Sequence, residues 1–83
     1  MALLADWSEE ARADIRRLDK PTAMQLFDGL SRFLRTEHGD VKQLQGVHPP
    51  EFRLRVGEYR IRYSRHGQAI RIHSVKKRSE AYR

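Results

Sequence analysis

Between Glu51 and Val75 the chain reads EFRLRV, GE, YRIRYSR, HG, QAIRIHSV. Three short runs alternate between apolar and polar residues, and each break carries a glycine. A period of two places successive side chains on opposite faces, as in a half-buried strand. Breaks this short, with glycine in them, join neighbouring strands as tight hairpins. The stretch therefore reads as a three-stranded antiparallel meander, and the rest of the chain has to cover one of its faces.

The register follows from the turns. With Gly57-Glu58 as the first turn, Val56 faces Tyr59, Arg55 faces Arg60, Leu54 faces Ile61, Arg53 faces Arg62 and Phe52 faces Tyr63. With His66-Gly67 as the second, Tyr63 faces Ile70, Arg62 faces Arg71, Ile61 faces Ile72 and Arg60 faces His73. One face then collects Phe52, Leu54, Ile61, Tyr63, Ile70 and Ile72. The other carries two rows, Arg53-Arg62-Arg71 and Arg55-Arg60-His73. Like charges directly opposite one another destabilise a sheet, by up to about 1 kcal/mol a pair. Mixed lysine and glutamate would keep a face soluble without that repulsion. A dense guanidinium surface suits a polyanion, because its planar, permanently charged donors match phosphate oxygens.

The charge distribution agrees. Residues 1–46 hold 7 basic and 8 acidic residues, and residues 47–83 hold 10 basic and 3 acidic, so a nearly neutral first half precedes a half of +7. A basic patch confined to the strands and tail fits a nucleic-acid partner. The 83 residues make one domain with one core. With no cysteine, disulfides and thiolate metal sites are excluded. No apolar run is long enough to span a bilayer, and the expected location is cytoplasmic.

Upstream, Ala2 to Asp6 reads as a short edge or near-edge strand. Ser8 is an N-cap, with Glu9 and Glu10 in the first turn where the helix dipole favours acids. Ala11, Ile15 and Leu18 recur at helical spacing, predicting a first helix from Glu9 to Leu18. Pro21 fits the first turn of a second, running to about His38, with Ala23, Phe27, Leu30 and Leu34 as its stripe and Met24, Leu26 and Phe33 beside it. Gly39 is expected to end it. Trp7, Phe27, Phe33 and Met24 are expected in the core. Val41 to Pro50, with its paired prolines, reads as a connector. The fold class is thus α+β: a short N-terminal strand, a two-helix hairpin and a three-stranded antiparallel meander. Lys76, Lys77 and Arg78 leave the last strand at the rim of the basic face, and Arg78 and Tyr82 would share one side of a helical turn.

Three segments, LQG from Leu44 to Gly46, RLRVGEYRIRY from Arg53 to Tyr63 and VKKRSEAYR from Val75 to Arg83, together with the order of elements, resemble the RelE/ParE superfamily of bacterial type II toxins. The resemblance covers nearly the whole chain and implies a compact microbial-ribonuclease-like fold. The RelE branch cleaves mRNA in the ribosomal A site without a metal, using basic residues on the first two meander strands and an arginine and a tyrosine near the C-terminus. The matching positions here are Arg53, Arg55, Arg60, Arg78 or Lys76, and Tyr82. Where that branch often has lysine, this chain has Arg53 and Arg55, and arginine does not deprotonate in proteins. The ParE branch shares the fold but acts on DNA gyrase.

The resemblance thus implies a metal-free endoribonuclease with no cofactor. Arg55, Arg60, Arg78 and Tyr82 are the candidate catalytic residues, and Arg53, Arg62, Arg71, His73, Lys76 and Lys77 the candidate RNA-phosphate contacts. The implied partners are a cognate antitoxin (RelB-like or similar), mRNA and the ribosome, with operator DNA reached only through the antitoxin and no membrane. A ParE-like gyrase inhibitor and a plain nucleic-acid-binding module are the alternatives.

Overall fold

The computed structural model describes residues 2–81. Five strands form one sheet in the order β1-β5-β4-β3-β2. The elements are β1 (Leu4–Trp7), α1 (Glu9–Arg16), α2 (Lys20–Thr36), β2 (Asp40–Gln43), β3 (Phe52–Val56), β4 (Tyr59–His66), β5 (Ala69–Lys77) and a last turn of helix, α3 (Arg78–Ala81). The expected meander is β3-β4-β5. The expected first strand is β1, which pairs parallel with β5 at the sheet edge.

The connector contains a strand. β2 runs antiparallel to β3, Val41 opposite Leu54 and Lys42 opposite Arg53. All four of its residues are exposed, so it never shows the half-buried alternation by which strands are recognised in sequence. The two prolines fall after it, outside the pairing, as an edge strand allows.

The first hairpin has the expected register, Val56 opposite Tyr59 through Phe52 opposite Tyr63. The second does not. Its turn is Gly67-Gln68, with Gly67 at φ +63, so His66 faces Ala69 and Tyr63 faces Ile72. A bulge then sets Ser74 opposite Arg62, Val75 opposite Ile61 and Lys76 opposite Arg60. His73 is the extra residue of β5, and a bulge of this kind re-aims every side chain beyond it. The expected rows Arg53-Arg62-Arg71 and Arg55-Arg60-His73 are therefore Arg53-Arg62-Ser74 and Arg55-Arg60-Lys76.

The expected apolar face is the core. Leu54, Ile61, Tyr63, Ile70 and Ile72 are buried and Phe52 packs against them, its ring stacked on Tyr63 at 5.6 Å. Val75 joins because of the bulge. Burying each large aliphatic side chain here is worth roughly 1.5–3 kcal/mol. Both helices contribute residues to this core, Ala11 from α1 and Leu26, Leu30 and Phe33 from α2. The buried stripe of α2 is thus rotated from the expected one: Phe27 is 43% and Met24 60% exposed, and Phe27 instead meets Trp7 edge-on at 5.8 Å. At Gly29 an added Cβ would stand 2.7 Å from Val56 Cγ1, so the helix passes over β3 at a separation only glycine permits.

The helix ends follow local chemistry. Ser8 caps α1 by accepting from the Ala11 N–H at 3.1 Å, and Asp19 caps α2 through the Thr22 N–H and hydroxyl. The Thr22 side chain, then its N–H, holds the Asp19 carboxyl below its ordinary range. Gly39 does not terminate α2. Glu37 takes the left-handed position (φ 57) and donates its N–H to Phe33 O at 2.7 Å. Gly39 instead lets the backbone pass close to the core, where a Cβ would meet Leu54 at 2.9 Å and Phe33 at 3.2 Å.

Past Trp7, β5 has no strand on its outer side, and α1 covers that edge. Ser8 donates its N–H to Ile72 O (3.0 Å) and its hydroxyl to His73 O (2.9 Å), while Val75 N–H donates to Asp14 Oδ2 (2.9 Å). Side chains of α1 thus take the place of a neighbouring strand.

Candidate functional site

On the polar face, Arg55 and Arg60 project from neighbouring strands where β3 and β4 meet at their turn. The Arg78 N–H donates to Glu58 O at 2.8 Å, tying the start of α3 to that turn. The result is a cleft of about 500 Å³ lined by Arg55, Gly57, Glu58, Arg60, Lys77, Arg78 and Ser79. Four of the predicted cationic residues line one space, and among the described residues the one acid in that lining is Glu58.

Arg60 is the unusual member. Its residue is 6% exposed, its Nη1 reaches only the Tyr59 carbonyl at 3.4 Å, and its Nε has no hydrogen-bond partner among the described residues. Burying a charge without a hydrogen-bonded counterion is costly, and a guanidinium held so is prepared for an anion entering the cleft.

The other predicted cations have different settings. Lys76 sits opposite Arg60 but turns to α1, donating to Asp14 Oδ1 at 2.8 Å and pairing with Glu10 at 3.4 Å. The hydrogen bond to Asp14 is the main reason its ammonium is held above its ordinary pKa of 10.5, against the opposing effect of burial. Arg62 pairs with Glu51 at 3.0 Å and Arg71 with Asp6. Arg53 stands between Lys42 and Arg62 in the sheet. His73, placed by the bulge away from Arg60, meets Ser64 Oγ through Nε2 at 2.9 Å; His66 Nε2 meets the same hydroxyl at 2.9 Å. Tyr82 lies outside the described residues. Among those residues no group of three or more His, Asp or Glu side chains is placed to hold a metal ion.

Two polar clusters do not follow from the sequence pattern. Asp14 is buried and also receives Arg17, so one carboxylate organises α1, β5 and two cations. Its signal was present: an acid three residues after Ala11, on the helix face that turns inward. The Ser64-His66-His73 cluster was hidden, because only the bulge brings His73 to Ser64.

Known proteins agree with this architecture. The family described as the ParE toxin of the type II toxin–antitoxin system parDE matches residues 5–82. Among curated proteins nothing matches the chain. Among solved structures, a chain of the archaeal RelE–RelB complex from Pyrococcus horikoshii is 22% identical with a TM-score of 0.74, over 94% of this chain and 97% of that one. The intact E. coli RelBE toxin–antitoxin complex contains a chain 24% identical with a TM-score of 0.68, over 92% and 96% of the two chains. A double-arginine mutant of the E. coli toxin RelE in the free state is 28% identical with a TM-score of 0.71, over 99% and 92%. With the family match spanning almost the whole length and the same fold recurring in RelE toxins, this chain belongs to the RelE/ParE superfamily as a toxin of a type II toxin–antitoxin system.

Proposed function

We propose that this toxin is an endoribonuclease that cleaves mRNA, with the ribosomal A site as its place of action, and that the cleft between Arg55, Arg60, Lys77 and Arg78 holds the scissile phosphate. The observation that carries the reading is Arg60, a buried guanidinium whose Nε has no partner among the described residues and which lines a space with three more cations. In the reaction the RNA 2′-oxygen forms a bond to the adjacent phosphorus and the bond from phosphorus to the 5′-oxygen breaks. The 2′-hydroxyl gives up a proton, the 5′-oxygen receives one, and a cyclic phosphate remains. Negative charge builds on the non-bridging oxygens, and donors fixed beforehand stabilise it without reorganising. Arg60 and Arg55 fill that role, while Lys77 and Arg78 hold the strand.

Arginine does not serve as the base, and His73 does not line the cleft. Tyr82, four residues beyond Arg78, is the proton-transfer or base-stacking candidate. Tyr82→Phe separates the two: it lowers cleavage if the hydroxyl moves a proton and spares it if the ring only stacks. A cognate antitoxin partner, RelB-like or similar, is part of the same reading, since the neighbours from Pyrococcus horikoshii and E. coli are toxin–antitoxin complexes.

The family match carries the name ParE, which keeps gyrase inhibition as the second reading. Induction in a bacterial host followed by mapping of mRNA 5′ ends decides. New ends within translated codons are the expected result. Intact mRNA with lost supercoiling activity would overturn it in favour of gyrase.

A further inference from the structure

On the polar face, away from the cleft, two imidazoles converge on one hydroxyl. His66 Nε2 and His73 Nε2 each lie 2.9 Å from Ser64 Oγ, and Ser64 is buried. No other side-chain hydrogen bond engages either ring among the described residues, so each Nδ1 edge is left without a protein partner there. The charged groups on β1, β3, β4 and β5 are Asp6, Arg53, Arg55, Arg60, Arg62, Arg65, Arg71, Lys76 and Lys77, with Glu51 before β3 and Glu37 after α2. Each of the three carboxylates is already taken by an arginine: Asp6 by Arg71, Glu51 by Arg62 and Glu37 by Arg65. Among these described residues no carboxylate is left unpaired for the histidines.

The hydroxyl imposes a rule on the pair. It has one proton, so it donates to one Nε2 and accepts from the other. With both rings neutral, one ring carries an Nδ1–H and the other an Nδ1 lone pair. One added proton changes this. The donor ring keeps its Nε2–H on Oγ and gains Nδ1–H, and the pair now shows two Nδ1–H donors and a positive charge. Two donors with a charge match the two free oxygens of a phosphodiester.

We propose that Ser64, His66 and His73 form a second phosphate subsite for single-stranded RNA, closed on its ligand when the histidine pair takes up one proton; this rests on the ribonuclease reading above. Ser64 and Arg60 are four residues apart on β4, about 13 Å along the strand. A ligand that engages both is a strand of several nucleotides, lying along the face past Arg62.

The test is binding of the full chain to a short 2′-O-methyl RNA at fixed salt between pH 7.5 and 5.5, beside cleavage of unmodified RNA. The methylated strand lacks the nucleophile, so binding is read apart from catalysis. The wild type is expected to bind about tenfold more tightly at pH 5.5, as one charge-assisted contact warrants. The double variant His66→Gln/His73→Gln is expected to gain less than twofold, while His38 and His48 remain in both proteins. His66→Gln alone, at the exposed end of β4, gives the same loss without touching the bulge. A wild type indifferent to pH, or a gain kept by these variants, overturns the proposal. Absent cleavage with the pH-linked binding intact would overturn the ribonuclease reading instead.

Discussion

Arg60 and Lys76 are cross-strand neighbours on one face of the sheet, and the fold treats them in opposite ways. Lys76 is neutralised by two acids of α1 and helps attach that helix to β5. Arg60 is more deeply buried, borders Arg55, and among the described residues has only a carbonyl at 3.4 Å. One cation is paired inside the molecule, and the other has no acidic partner among the described residues. Counting positive charges along the sequence does not separate the two, but counting which carboxylates reach them does.

The contrast can be broken at four points. Arg60→Ala is expected to lower RNA cleavage at least about a hundredfold, the scale of losing one fixed transition-state donor. Its stability should stay level or rise, because an imperfectly paired buried charge is removed. Full growth inhibition at equal expression would show that Arg60 is not used for function. Next in size, Asp14→Ala is expected to cost about 2–4 kcal/mol in urea unfolding, since it strands the Val75 N–H and leaves Lys76 with Glu10 alone. A loss under about 0.5 kcal/mol would mean that α1 is held by its apolar contacts only.

Lys76→Gln sharpens the comparison from the other side. It should cost about 1–2 kcal/mol in stability yet change cleavage less than threefold, because its charge is already spent on Asp14 and Glu10. A hundredfold loss of cleavage would place Lys76 with Arg60. The smallest effect is alkaline. Burial raises the Tyr63 phenol above its ordinary 10.0, and Asp14 raises Lys76 above 10.5. Both groups hold their proton more tightly when folded, so their contribution is complete below about pH 10 and declines as pH rises through the folded values. Melting temperature against pH should fall from about pH 10 upward, with a shallower fall in Lys76→Gln.

Much of this was legible in the sequence. The alternating runs named the core face, and the Gly57-Glu58 turn set the first hairpin register. Ser8 announced its helix because capping is local chemistry. The failures share a cause. The placement of Gly67 within its turn, and the bulge at His73, are settled by which arrangement packs Ile72 and Val75 inside, a tertiary matter. β2 was missed because an edge strand exposed along its length carries no buried alternation. The α2 stripe was misplaced by part of a turn, since Phe27 and Leu30 suggested one inward face and Leu26, Leu30 and Phe33 form another. At the site, Arg55, Arg60, Lys77 and Arg78 were named before their cleft was seen, whereas the Asp14 anchor needed three-dimensional neighbours.

The position of β5 has a consequence for how the toxin comes into being. It is the last strand to be synthesised, yet it lies between β1 and β4 and supplies Ile70, Ile72 and Val75 to the core. Until it arrives, β1 has no partner and α1 has no edge to cover. The pairing of Leu4 with Ala69 spans most of the chain, and closing so long a loop is entropically expensive and slow. A growing chain therefore cannot close the sheet or complete the core until β5 has emerged.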